Sequence, residues 1–145
     1  MRLAVRAAIV AVLALLLAGC AGGNVPSFVT SDNLTKIEIT SDQTGQKGLA
    51  TNEADDLYAF LDLLHLADLT SSSRQDAPEP TTSVYAIVVH DSSRVVWSAK
   101  VLDSPQSSRV YLNDAVHPAN NGIYTLKQAI VIKDVDQFVE KNPAT

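Results

Sequence analysis

The stretch from Ser83 to Val101 constrains the fold most. Ser83 to His90 is apolar on both faces, with Val84, Ala86 and Val88 set against Tyr85, Ile87 and Val89. A short run that is apolar on both sides reads as a central strand. Asp91-Ser92-Ser93 has turn chemistry. Arg94 to Val101 then alternates, with Val95, Trp97, Ala99 and Val101 on one face and Val96, Ser98 and Lys100 on the other. Two such runs around a polar turn predict a β-hairpin.

The flanking segments build outward from that hairpin. Asn33 to Thr40 alternates Ile37 and Ile39 with Lys36 and Glu38, a half-buried strand. Ser41 to Gly48 is rich in turn residues. Thr51 or Asn52 can cap a helix with Glu53, Asp55 and Asp56 in its first turn, where acids suit the positive end of the helix dipole. Leu57, Leu61 and Leu64 follow at helical spacing, so the amphipathic helix is expected to reach about Ala67. Thr70 to Ser83 carries serines, threonines and two prolines and reads as a surface loop. Beyond the hairpin, Arg109–Leu112 and Ile123–Leu126 are strand-like, with a turn signal at Asn120-Asn121-Gly122. Residues 127–132 fit a strand or a helix. Val135, Phe138 and Val139 fit a short helix begun by Lys133 or Asp134 and ended by Pro143. The expected class is α+β. It comprises an antiparallel sheet of about four to five strands, one long helix after the first strand, and a short C-terminal helix on the same face. In that arrangement Leu57, Leu61, Leu64 and Phe138 pack onto the row of Trp97.

The first residues read as an address. Arg2 and Arg6 give a positive start, Ala7 to Leu17 is an unbroken apolar run of 11 residues, and Ala18 and Gly19 precede Cys20. This is the layout of a secretory signal. The run falls short of the ~20 apolar residues that span a bilayer. Leu17-Ala18-Gly19-Cys20 resembles the lipobox of bacterial lipoproteins at all four positions. The resemblance implies a diacylglyceryl group on the sulfur of Cys20 and cleavage between Gly19 and Cys20. It also implies a lipid anchor on the extracytoplasmic side of the envelope, in the cell membrane of a monoderm or the outer membrane of a diderm. The expected organisation is a removed signal at 1–19, the lipidated Cys and a tether at 20–31, and one α+β domain at 32–145. In arrangement and size the mature part is similar to small uncharacterised lipoprotein domains of Gram-positive bacteria, which implies a compact non-catalytic domain.

Charge narrows the partners. The whole chain carries 11 Lys and Arg against 16 Asp and Glu, and two of those bases, Arg2 and Arg6, lie in the signal. No basic cluster remains to bind phosphates, so nucleic acid is not an expected partner. An acidic surface is also repelled by anionic headgroups, so the membrane contact rests on the lipid of Cys20. Cys20 is the only cysteine. A disulfide framework is thereby excluded, and the core alone must hold the fold.

No catalytic motif stands out, no cofactor is implied, and the chain is read as non-enzymatic. No serine lies in a Gly-x-Ser-x-Gly elbow, and Gly45 and Gly48 lack phosphate-loop spacing. His65 reads as a helix-end histidine. His90, Asp91, Asp114 and His117 sit at strand ends, where imidazole and carboxylate together could ligate zinc or copper or serve a hydrolase. That alternative requires all four to converge, and self-solvating turn residues are the favoured reading. Tyr85, Tyr111 and Tyr124 fall on strands and are candidates for a surface that meets an envelope protein. The competing reading has them cover the sheet's second face.

Overall fold

The computed structural model describes residues 34–50, 54–65, 69 and 73–144. The signal, the cleavage and attachment residues Gly19 and Cys20, and the tether lie outside the described residues. One antiparallel sheet dominates. Its strands are β1 (Leu34–Ser41), β2 (Lys47–Ala50), β3 (Ser73–Gln75), β4 (Tyr85–Asp91), β5 (Arg94–Val101), β6 (Gln106–Asp114) and β7 (Gly122–Val131). Two helices, α1 (Ala54–Leu63) and α2 (Ile132–Lys141), are each ten residues long. The spatial order is β2-β1-β4-β5-β6-β7-β3.

This corrects the sequence expectation of four to five strands and one long helix. The added strands are β2 and β3, both edge strands of four and three residues. Neither carries an apolar alternation of its own, because each is defined by its neighbour. Lys47 pairs with Thr40 across a turn in which Gly45 takes φ +66°, and Ser73 pairs with Thr125 far along the chain. The helix is shorter than expected because His65 adopts φ 52°, donating its N–H to the Asp62 carbonyl. That left-handed residue ends the helix at Leu63, one turn short of the expected end. At the C-terminus, β7 runs on through Val131, and α2 begins directly at Ile132.

The strand pairing sorts side chains onto two faces. Ile37, Val89, Trp97 and Asp114 stand in one inner row; Ile39, Ile87, Ala99 and Leu112 stand in the next. Both helices cover this face. Phe60 is fully buried, its ring centroid lies 4.8 Å from that of Phe138, and Val135 and Val139 are buried beside it. Leu61 and Phe138 are half-buried against the core and Leu64 is buried, whereas the side chain of Leu57 lies outside the described residues. Gly48 lets α2 approach β2, since a Cβ there would sit 3.0 Å from Val139 Cγ1. Each large apolar side chain buried in this layer contributes about 1.5–3 kcal/mol.

The outer face is crossed by the segment Asp76–Ser83. It leaves β3 at one edge and returns to β4, four strands away in the sheet. Lys100 on the outer face holds it, donating to the Pro80 carbonyl at 2.7 Å and pairing with Glu79 at 2.9 Å. Ser83 Oγ anchors its end by donating to Asp42 Oδ2. We refer to this crossing segment as the strap.

Candidate functional site

The structure brings polar groups together at two places. The first is the uncovered part of the outer face, beside β1. Lys36 and Glu38 alternate with the buried Ile37 and Ile39, so both point outward. The register sets Lys36 opposite His90. Glu38 lies between them, with Oε1 at 2.5 Å from Lys36 Nζ and Oε2 at 3.1 Å from His90 Nε2. A carboxylate can only accept, so Nε2 carries the hydrogen. The hydrogen bond from Lys36, with that from His90, holds the Glu38 carboxyl below its ordinary range. A groove of about 260 Å³ adjoins the trio, with Ala86 and Val88 on its floor and Lys47 on its rim.

A depressed carboxyl stabilises the fold above its ordinary value of 4.5, and this contribution fades as pH falls through the lowered value. Glu38 is 45% exposed, so solvent screening keeps the effect below about 1 kcal/mol. In urea titrations between pH 3 and pH 6, Glu38→Gln is therefore expected to lose a small stability difference from the parent as the acid end is approached. A difference that stayed constant across that range would show that the pair contributes nothing through ionisation.

The second place is the loop between β6 and β7. Asp114 is fully buried at the end of β6. Its Oδ1 accepts the backbone N–H groups of Val116 and His117, at 3.0 and 2.8 Å, and its Oδ2 accepts from Asn120 Nδ2 at 3.2 Å. Asn121 Oδ1 in turn accepts the Asp114 N–H at 2.7 Å, and the buried Tyr124 hydroxyl donates to the Asn120 carbonyl at 2.7 Å. The loop closes with a 3-10 turn, Pro118–Asn120.

The four candidate ligands therefore form two separate pairs. His90 meets Glu38 on the outer face, and its neighbour Asp91 faces Arg94 at 4.0 Å. His117 Nδ1 lies 3.7 Å from Asp114 Oδ2, at the end of the inner row. Among the described residues no group of three or more His, Cys, Asp or Glu is placed to hold a metal ion. The convergence that a metal or hydrolytic centre requires is absent among the described residues, with His90 and Asp114 on opposite faces of the sheet.

Of the two readings of the tyrosines, the structure favours packing over a partner surface. Tyr85, Tyr111 and Tyr124 are all buried. Tyr85 and Tyr124 stand in one inner row, Tyr85 donating to Asp136 on α2, and burial pushes both hydroxyls above their ordinary pKa. Tyr111 is on the outer face, opposite Lys100. None offers a partner surface; their rings serve packing. Sequence reasoning missed Glu38 and the strip Ala115–Ala119. The alternation of β1 marks Glu38 as outward-facing, but only the register supplies its partner. No family model, curated protein or solved structure matches this chain.

Proposed function

We propose that this chain is a lipid-anchored domain of the bacterial envelope, acting as a non-enzymatic binding or assembly module outside the cytoplasm. The observation that carries this reading is Leu17-Ala18-Gly19-Cys20 placed directly after an apolar run with a positive start. None of the described helices is long and apolar enough to cross a membrane. The binding reading is supported by the state of the polar clusters. Glu38 is engaged with Lys36 and His90, and Asp114 with the loop around it, which suits a structural role for both.

The test is Cys20→Ala in the native host, followed by fractionation and intact mass. Two or more acyl chains are needed for durable anchoring, since one chain binds only marginally. The variant is expected to leave the membrane fraction by about tenfold or more, or to persist as uncut precursor. A Cys20→Ala chain that stayed in the membrane and was normally processed would overturn the reading. In-cell crosslinking of the lipidated chain then identifies the envelope partner.

A further inference from the structure

The β6–β7 loop is built inside out. Its polar side chains, Asp114 and Asn120, are buried, while Ala115, Val116, Pro118 and Ala119 are exposed and His117 is half-exposed. Ordinary surface loops do the reverse, and a buried polar group or an exposed apolar patch is the informative departure. Val116 is 45% exposed, and so is Val95 at 40%. The pairing of Trp97 with Asp114 brings them to one corner, since each lies two residues beyond that pair and the Ala115 N–H bonds the Val96 carbonyl. The strip Ala115–Ala119 carries no carboxylate and no lysine, within a chain whose acids outnumber its bases. Its backbone is fixed by the Asp114 network, so the apolar residues are held outward and cannot fold back onto the domain.

The position of this corner suggests what covers it. β1 begins at Leu34, which pairs with Asp91 beside the β4–β5 turn. The chain therefore enters the domain at the same end of the sheet as the β6–β7 loop. Cys20 is 14 positions upstream of Leu34, and a stretch of that length reaches at most about 50 Å. The β1–β2 turn, with exposed Asp42, lies at the opposite end.

We propose that this corner, Val95 with Ala115–Ala119, is the membrane-facing surface of the domain and rests shallowly in the headgroup region of the bilayer that holds the anchor. The inference rests on the lipid-anchor reading. Apolar contact of this kind is insensitive to anionic lipid, and it would fix which face of the domain the cell presents to solution.

The test uses the full lipidated chain, purified from cells and reconstituted into phosphatidylcholine vesicles that contain a lipid brominated on its upper acyl chain. Ala119→Cys and, separately, Gln43→Cys carry an environment-sensitive fluorophore; the sulfur of an acylated Cys20 does not react. Intact mass of the same preparation reads the acylation. The label at position 119 is expected to be quenched roughly threefold more than that at position 43, and Val116→Asp is expected to abolish the difference. An acylated chain with equal quenching at both positions overturns the proposal and leaves the anchor reading standing. An unacylated Cys20 overturns both. A label at 119 that escapes lipid quenching in the vesicles, on a chain whose position 119 crosslinks to an envelope protein in intact cells, overturns it in favour of a protein contact.

Discussion

Asp114→Ala is expected to destabilise the domain by about 3 kcal/mol, because it strands three donors, two part-buried and one buried, without replacing their acceptor. The Val116 and His117 N–H groups and the Asn120 amide all point at its carboxyl oxygens. Each buried donor left unsatisfied costs about 1–3 kcal/mol. Urea or thermal denaturation would register the loss as a fall in Tm of roughly 10–15 °C for a domain of this size. Asp114→Asn makes the informative contrast. It keeps an oxygen for the two backbone N–H groups but turns an amide toward Asn120, so it is expected to recover about half of the loss. A change below about 1 kcal/mol for Asp114→Ala would mean that the loop does not depend on this side chain.

The second large effect is expected at Gly122. A Cβ on this residue would lie 2.6 Å from the carbonyl oxygen of Gln75, and its φ of +153° is one that residues with a side chain rarely adopt. Backbone strain of that kind costs about 1–3 kcal/mol, and relief of the clash requires β3 to move away from β7. Gly122→Ala is therefore expected to cost about 2–4 kcal/mol. It should also abolish hydrogen-exchange protection across Ser73–Gln75 while sparing β4 and β5. If β3 stayed protected in the variant, the close approach of the two backbones would not be what fixes that edge.

These two sites show what local pattern conveys and what it omits. The β4–β5 hairpin is legible because Trp97, Ala99 and Val101 repeat at strand spacing around a polar turn. The strand pattern of β1 is legible for the same reason. The edges are not, because Ser73-Arg74-Gln75 is a strand only through its pairing with Ile123–Thr125. The length of α1 depends on one left-handed residue, His65, whose identity does not announce that conformation. Whether the candidate ligands meet is hidden in the sequence for a related reason. His90 and Asp114 both sit near strand ends, but the parity of each strand puts them on opposite faces, and parity follows from register. The tyrosines stay open between surface and core in the sequence because a strand residue's exposure depends on what lies above it. For Tyr85 that is α2, which carries its partner Asp136.

The path of the chain around the sheet has a kinetic consequence. β2, α1, β3 and the strap occupy in turn one edge, the inner face, the opposite edge and the outer face, so these described elements enclose β1 and the β4–β7 meander, whose residues follow them. β3 appears well before β7, its only strand partner among the described residues, and the strap before the Lys100 that fastens it. Folding therefore cannot proceed in the order in which the chain is made. The four-stranded meander, whose pairings are local, is placed to form first, and the encircling segment closes over it last, at the entropic cost that delays contacts between distant residues. A chain emerging from its N-terminus would carry this girdle open until β7 is available, and only a chain made through β7 could fasten it.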